Sequence, residues 1–200
     1  ATVELGGDVD HNNHRYLADS VLAAWGAVTG EQTLLDQAES RVITAFVKQL
    51  RADGSWPLET RRGARALWYT RQSLASLTFI LSVLEAQGRD PLAQDDLRDG
   101  FERALTYFLD GIHSPIIVTK YAVENYIPCP SQDYANQDLS FLAERPHGRH
   151  YMAFMNTART LVRDPVLVAR IDRFLANVPA DQEPIIDDFS GGDAKSCRRR

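Results

Sequence analysis

The apolar positions in the first quarter of the chain recur at helical spacing. Intervals of three and four residues predict an amphipathic helix over residues 17–28, which Gly30 closes. A second helix follows with Thr33 as its expected N-cap, and its apolar stripe continues until Asp53 and Gly54 turn the chain. The pattern therefore predicts a helical hairpin at the start of the fold.

The same spacing continues beyond this turn and predicts two further helices, over residues 60–86 and 97–109. Between residues 113 and 150 the pattern fails, because four prolines and clustered polar residues indicate a long irregular segment. Helical spacing returns over residues 151–162 and 165–174. Six helices in antiparallel hairpins, with almost no strand pattern, predict an all-α fold.

The length and composition limit the class of protein. Two hundred residues correspond to about one domain, so we expect a single domain over residues 1–200. The longest apolar stretch, residues 74–84, falls short of the roughly 20 residues that cross a bilayer, so no membrane partner is expected. With 22 basic against 27 acidic residues, the net charge of -5 provides no basic field for nucleic acid.

The start of the chain and its cysteines say little about the compartment. The sequence begins at Ala1 with no basic and apolar leader, which fits a mature or trimmed product from which any export signal is already gone. Cys129 and Cys197 lie too far apart for a C-x-x-C metal or redox site. The two alternatives for this pair are two unrelated thiols and a single disulfide bond.

The first candidate cluster is Asn12-Asn13-His14, immediately before the first helix. Asparagine is a favoured N-cap, so a purely structural role is one interpretation. In the functional interpretation Asn13 donates an amide N–H to an anionic oxygen, and His14 acts as a base because histidine titrates near neutrality. A metal site is a third alternative, although its residues match no established ligand spacing. Its members would be Asp8, Asp10, His11 and His14.

The second candidate cluster is a group of basic residues with an aromatic at the start of the third helix. Arg62 and Tyr69 are seven residues apart, which on one helix gives the same face about 10 Å apart along the axis. Three arginines there oppose the helix dipole by roughly 0.3–1 kcal/mol each, which favours a carboxylate-bearing ligand. A solvated basic helix start, with Tyr69 in the core, is the alternative. The group comprises Glu59, Thr60, Arg61, Arg62, Arg65, Tyr69 and Arg71.

Four motifs in order along the chain carry a family resemblance. The run NNHRY at residues 12–16, followed by DGSWPLETRRGARALWY at residues 53–69, resembles the paired motifs of alginate lyases, the fifth family of polysaccharide lyases. The runs YMAF at 151–154 and SGGD at 190–193 resemble later motifs of that family. The resemblance implies an (α/α) toroid of antiparallel hairpins, and β-elimination of poly-mannuronate that leaves an unsaturated uronate.

The resemblance also implies site residues and a scheme without metal or cofactor. The C5 proton of a uronate is removable only if the charge developing on the adjacent carboxylate is stabilised. In mannuronate the departing proton and the leaving oxygen share one side of the ring, so one tyrosine can serve both steps. The implied catalytic residues are Asn13 and Arg62 as carboxylate neutralisers, His14 as a base, and Tyr69 as the acid. The implied substrate-binding residues are Glu59, Arg61 and Arg65.

The sequence departs from the family pattern in two residues and in length. Leu17 replaces a tryptophan, and Thr70 replaces a histidine that often follows the tyrosine. Family domains run to roughly 300 residues, so we expect an incomplete toroid that lacks the front hairpins and lid. Exposed apolar faces on its first helices then favour self-association, or a second chain that completes the toroid.

The resemblance leads to a primary functional hypothesis and three alternatives. We expect a lyase of mannuronate-rich alginate, periplasmic or secreted, with an anionic polysaccharide as its partner. A non-catalytic uronate-binding helical module, and a lyase of another polyuronate such as glucuronan, remain open. A glycoside hydrolase would need two carboxylates, and Glu59 has no evident partner in the sequence. In the irregular segment, Lys120, Tyr121 and Arg149 are candidate contacts for a polyanion.

Overall fold

The computed structural model describes residues 6–123, 134–142 and 150–176. In these three ranges every secondary-structure element is a helix, with turns and extended links between them, which confirms the prediction of an all-α fold, and no helix is both long and apolar enough to span a membrane. The α-helices are α1 (Asn13–Thr29), α2 (Gln32–Ile43), α3 (Pro57–Thr60), α4 (Ala66–Ala86), α5 (Asp95–His113), α6 (Phe154–Leu161) and α7 (Pro165–Ala176). Short 3-10 helices lie at Gly7–His11, Gly63–Arg65, Pro91–Ala93, Pro115–Tyr121, Ser140–Leu142 and His150–Met152.

Helix α1 begins and ends with defined caps. The Asn12 side chain accepts a hydrogen bond from the His14 backbone N–H at 3.0 Å, so Asn12 is the N-cap. At the other end Gly30 adopts a left-handed conformation, with φ 74°, and its N–H donates to the Gly26 carbonyl. The first predicted helix is therefore confirmed, with Gly30 as its C-cap.

Helix α2 differs from its prediction at both ends. Its N-cap is Glu31, so the prediction of Thr33 was wrong. The reason is the tight closure of α1, in which the Glu31 N–H also donates to the Gly26 carbonyl at 3.0 Å and the next helix starts at once. The helix ends at Ile43 and passes into a π-helical turn over Thr44–Lys48.

The third helix begins later than the sequence pattern predicts. A regular helix starts only at Ala66, after the short helix α3 and the 3-10 turn that contains Gly63. Gly63 has φ 59°, a left-handed conformation that a continuing helix cannot contain. Arg62 therefore lies before the helix, and the prediction that Arg62 and Tyr69 share one helical face was wrong.

Helix α4 lies at the centre of the fold, packing against α1, α2, α5 and α6. Buried leucines and isoleucine line it, and each contributes roughly 1.5–3 kcal/mol to stability. An aromatic group next to this helix joins the first hairpin to α5: Phe46 packs against Trp56 at 5.6 Å and against Phe101 at 5.5 Å. The core thus fixes the N-terminal half of α4, where the candidate site lies, relative to α1.

The turn before α3 is held by a close backbone approach to α5. Gly54 has φ 88°, and a Cβ atom there would overlap the carbonyl oxygen of Arg103. The expected turn at Asp53 and Gly54 is present, and glycine is required there both for conformation and for space. The close approach fixes the start of the segment that carries the candidate arginines.

The outward face of α1 is apolar, while polar groups lie on its inward face. Val21, Trp25 and Val28 follow one another at spacings of four and three, and Trp25 is 59% exposed. On the inward face Asp19 is buried and ion-paired with Arg15. The first helix therefore exposes apolar side chains, and whether another segment or chain covers them stays a prediction.

Candidate active site

The turn that carries the candidate arginines is fixed by a distant segment of the chain. The Gln137 side chain donates to the Gly63 carbonyl at 2.9 Å and accepts from the Leu67 N–H at 3.1 Å. The Asp138 N–H donates to the Ala64 carbonyl at 2.6 Å. Both residues belong to the region that the sequence predicts as irregular, so hydrogen bonds from this region hold the turn in place.

Arg62 and Tyr69 meet directly. The guanidinium carbon of Arg62 lies 3.9 Å from the centroid of the Tyr69 ring, a cation–π contact. Stacking uses the face of the guanidinium and leaves its N–H groups in plane, where they can bind a carboxylate. The two residues therefore place a cation and a phenol side by side, although not through the shared helix that the sequence predicts.

Asn13 is tied to both α3 and α4. Its backbone N–H donates to Glu59 Oε1 at 2.8 Å, and its side-chain nitrogen donates to Gln72 Oε1 at 2.7 Å. Gln72 lies three residues after Tyr69 on α4, so the two side chains are neighbours on one helical face. Asn13 is thereby brought to the part of α4 that carries Tyr69.

Sequence reasoning missed Gln72 altogether. The available signal was its position, because Tyr69, Gln72 and Ser73 are spaced as one face of a helix. Without the contact between α1 and α4, nothing in the sequence connects Gln72 with Asn13, 59 positions earlier. Helical spacing in the sequence shows which residues share a face of α4, whereas only the packing of α1 on α4 shows which residues they contact.

Glu59 lies underneath the site rather than in a cleft. Its exposed fraction is 0%, and its Oε1 atom accepts from the Ser73 hydroxyl at 2.9 Å as well as from the Asn13 N–H. Burial raises the pKa of Glu59 to about 7, although those two hydrogen bonds and the charges of Arg62 and Arg61 oppose the shift. The substrate-binding position predicted for Glu59 does not fit this burial. The carboxylate instead joins α1, α3 and α4.

The remaining candidate residues surround this group without converging on it. His14 is exposed at the first turn of α1, next to Asn13. Arg61 forms an ion pair with Asp8, and Arg65 is exposed immediately before α4. The site thus combines buried groups, Asn13 and Glu59, with an exposed imidazole and with arginines that are half-buried or exposed.

The acidic residues of the metal site considered as an alternative form ion pairs with arginines. Asp8 pairs with Arg61, and Asp10 Oδ1 lies 3.1 Å from the Arg15 guanidinium. Over residues 6–123, 134–142 and 150–176, no group of three or more histidine, cysteine, aspartate or glutamate side chains could hold a metal ion. The contacts of Asp8 and Asp10 therefore favour ion pairing over metal ligation.

Arg15 and Tyr16, at the end of the NNHRY motif, are structural. The Arg15 guanidinium is largely buried and hydrogen-bonds to Asp19, with an Nε to Oδ2 distance of 3.0 Å. The Tyr16 hydroxyl donates to Gln49 Oε1 at 2.8 Å, which links α1 to the end of the next hairpin arm. Within this motif, only Asn13 and His14 stand at the candidate site.

Two of the predicted polyanion contacts form a separate network around Asp53. Lys120 Nζ lies 2.7 Å from Asp53 Oδ2, and the buried Tyr121 donates its hydroxyl to the same carboxylate. Although burial opposes the charge, hydrogen bonds from Lys120, Tyr121 and Ser55 lower the pKa of Asp53 to about 2. These groups stabilise the turn at Asp53, which does not fit the predicted contact with a polyanion.

The late aromatic motif packs on α4 through Arg71. This arginine is buried, donates to the Tyr151 carbonyl at 3.0 Å, and stacks near the rings of Trp68 and Tyr151. The YMAF run thus supports the helix that carries Tyr69. Arg149, Cys129, Cys197 and the SGGD run at residues 190–193 lie outside the described residues.

Comparisons with known proteins agree with this helical architecture. The chain is similar to a solved structure of alginate lyase A1-III in an apo form, with a TM-score of 0.70 and 21% identity, over 94% of this chain and 47% of that one. A "Polysaccharide lyase" of Stenotrophomonas maltophilia (strain K279a) is 34% identical over 79 residues, which cover 40% of this chain and 24% of the relative. The chain thus spans about half of the first and a quarter of the second.

The family comparison covers the region in which the candidate residues lie. The model of the family described as alginate lyase matches residues 6–117, which include α1 to α5 and every residue of the two candidate clusters. That match extends over more than half of the chain. The chain therefore belongs to the alginate lyase family.

Proposed function

We propose that this chain carries the catalytic residues of a polysaccharide lyase that cleaves mannuronate-rich alginate by β-elimination. The observation that carries the proposal is the stack of Arg62 on Tyr69, at 3.9 Å, on the part of α4 that also holds the Asn13 amide through Gln72. A cation, an amide donor and a phenol in one place are the groups that this reaction requires.

The first step of the proposed reaction is neutralisation of the uronate carboxylate. Arg62 and Asn13 supply N–H donors to its oxygens, so that the charge developing on them when the C5 proton leaves is stabilised. The Asn13 amide has two N–H groups, and the bond to Gln72 occupies one of them. The second N–H remains for the substrate in this scheme.

The second step is proton transfer at C5 and at the glycosidic oxygen. Tyr69 donates a proton to the leaving oxygen on C4, and a base takes the C5 proton as the C4–O bond breaks and the C4–C5 double bond forms. His14, exposed beside Asn13, is the proposed base, and for mannuronate Tyr69 can serve in both steps. Arg61 and Arg65 are proposed to bind flanking uronates of the polymer.

Glu59 does not serve as an acid in this scheme. A glycoside hydrolase needs two carboxyl groups that reach the glycosidic bond, whereas Glu59 is buried and bound to Asn13 and Ser73. This burial favours elimination over hydrolysis, and the two reactions differ in product. Elimination gives an unsaturated uronate end, and hydrolysis gives a saturated one.

The experiment that tests the proposal is incubation of the chain with poly-mannuronate, poly-guluronate and glucuronan while ultraviolet absorbance reports conjugated product. We expect product from poly-mannuronate, and its loss in Tyr69→Phe and His14→Ala with helical content unchanged. Arg62→Lys should also lower turnover, and Arg103→Lys, the same change at an exposed arginine, is its matched control. Turnover that both Tyr69→Phe and His14→Ala retain would contradict the assigned roles.

The same experiment separates the alternative functions. Product from glucuronan alone would indicate another polyuronate as the substrate. Calorimetric binding of mannuronate oligomers without unsaturated product would indicate a binding module, and a saturated reducing end would indicate a hydrolase.

Three further expectations from the sequence stay predictions. They are a single domain over residues 1–200, a periplasmic or secreted location, and self-association or a second chain that completes the toroid. Light scattering on the purified chain tests self-association, and a monomer at all concentrations would contradict it. Limited proteolysis tests the single domain, which predicts no stable intermediate fragment.

A further inference from the structure

We propose that Gln72 is a positioning residue for Asn13. Its amide oxygen holds the Asn13 side chain so that an N–H group, and not the amide oxygen, faces the uronate carboxylate. Gln72 acts through Asn13 and need not contact the substrate. This inference rests on the proposed function, because it takes Asn13 to meet a carboxylate.

The backbone alone does not orient the Asn13 amide. Asn13 is the first residue of α1, and its N–H is fixed by the bond to Glu59 at 2.8 Å. The torsion of the terminal amide is broad and nearly two-fold, so the backbone leaves open whether nitrogen or oxygen points outward. An amide oxygen toward the substrate would repel a carboxylate, and an amide N–H would bind it.

The Gln72 oxygen resolves this choice. It accepts from Asn13 Nδ2 at 2.7 Å, and this is the side-chain hydrogen bond that Asn13 makes within the described part of the chain. A reversed Asn13 amide would set two oxygens against each other at a residue that is 6% exposed, where an unmade hydrogen bond is disfavoured. With its oxygen toward Asn13, Gln72 thus selects the orientation in which Asn13 Nδ2 faces α4 and Asn13 Oδ1 stays buried, without a hydrogen-bond partner among the described residues.

The position of Gln72 suits this role. It lies on the same face of α4 as Tyr69, one turn further along, so it holds the amide beside the phenol. Ser73, the next residue, binds Glu59 Oε1 at 2.9 Å, and the same oxygen receives the Asn13 N–H. Adjacent residues of α4 therefore set the backbone and the side chain of Asn13.

Two variants of Gln72 separate its acceptor from its shape. Gln72→Met keeps the length of the side chain and removes the acceptor, whereas Gln72→Glu keeps the acceptor and adds a negative charge. Gln87→Met makes the same change at an exposed glutamine just after α4 and serves as the control. Circular dichroism and Tm verify that each variant folds.

The expected result is a split between kcat and KM on poly-mannuronate. We expect Gln72→Met to lower kcat by roughly 10- to 100-fold, because a misplaced binding group costs about that much. Gln72→Glu should keep kcat near the wild-type value and raise KM, because its carboxylate repels the polyanion. A wild-type kcat in Gln72→Met would overturn the proposal, as would a Gln72→Glu that is as slow as Gln72→Met.

A second readout does not depend on turnover. The side-chain amide signals of Asn13 in a 15N NMR spectrum, assigned by their loss in Asn13→Asp, should be retained in Gln72→Glu and displaced in Gln72→Met. Unchanged Asn13 signals in Gln72→Met would show that Gln72 does not hold the amide. If wild-type chain releases no unsaturated product, the proposed function fails, and these signals alone decide the positioning role.

Discussion

The buried carboxyl group of Glu59 makes a specific prediction about stability and pH. Its pKa of about 7 compares with 4.5 for an unperturbed glutamate, so the folded state holds this proton more tightly than the unfolded state. The stabilisation that the bound proton provides is fully present below pH 4.5. It is lost progressively as the pH rises through 7.

The size of this effect follows from the difference between the two pKa values. One pKa unit corresponds to about 1.4 kcal/mol, so ionisation of Glu59 should remove about 3 kcal/mol from the free energy of unfolding. In Glu59→Gln the amide oxygen can still accept from Asn13 and Ser73, but nothing titrates. The new amide nitrogen replaces Oε2, which is buried and has no hydrogen-bond partner within the described residues, so the variant has an unpaired donor there at every pH.

The test is therefore how the difference in unfolding free energy between wild type and variant changes with pH, and not its value at one pH. Urea unfolding of the wild type and of Glu59→Gln, followed by circular dichroism between pH 4.5 and 8, gives the difference in unfolding free energy at each pH. We expect this difference to change by about 3 kcal/mol in favour of the variant as the pH rises. Glu85→Gln, the same change at an exposed glutamate, is the matched control.

One result would refute this reasoning. If the difference between wild type and Glu59→Gln stays constant from pH 4.5 to 8, Glu59 does not titrate in this window. The bonds from Asn13 and Ser73, together with the charge of Arg62, would then outweigh burial and keep the carboxylate ionised.

Three further predictions concern glycine, aspartate and arginine positions. Gly54→Ala should cost about 3 kcal/mol in chemical unfolding, because the Cβ meets the Arg103 carbonyl at a left-handed φ. Gly88→Ala, left-handed but without a neighbour within 4 Å, should cost only about 1 kcal/mol, and equal losses would contradict the steric cause. Asp53 has a pKa of about 2, so its stabilisation is present above pH 3.8 and lost as the pH falls through 2. Acid unfolding of Asp53→Asn should lack this component, and a curve parallel to that of the wild type would show that Asp53 does not contribute it. Arg62→Lys should lower kcat/KM by about tenfold or more in the absorbance assay, because lysine lacks the planar stack and the paired N–H groups; a wild-type value would contradict this role.

Much of the architecture could be predicted from the sequence, because helical spacing is a local signal. The first hairpin, the long central helix and the return of helices after residue 150 all follow from apolar intervals of three and four. The break at Gly63 could not be placed in this way, since the apolar pattern continues on both sides of it. A single left-handed residue moved Arg62 out of the helix and onto the ring of Tyr69.

The candidate residues could be selected from the sequence, but their arrangement could not. Asn13, Arg62 and Tyr69 could be selected by residue type and by resemblance to a family. The burial of Glu59 and the contact of Gln72 depend on how α1 meets α4, and those partners are 46 and 59 positions from Asn13. Gln137, which holds the arginine turn, is 74 positions from Gly63. No local sequence pattern indicates contacts between residues that are so far apart along the chain.

The stack of Arg62 on Tyr69 has a consequence for the energetics of ligand capture. A free arginine side chain carries about 2 kcal/mol of rotamer entropy, which a ligand must normally overcome to immobilise it. Here the ring already restricts the guanidinium in the absence of a ligand. A ligand that carries a carboxylate would then meet a preorganised cation, and less of its binding energy would be spent on ordering the protein.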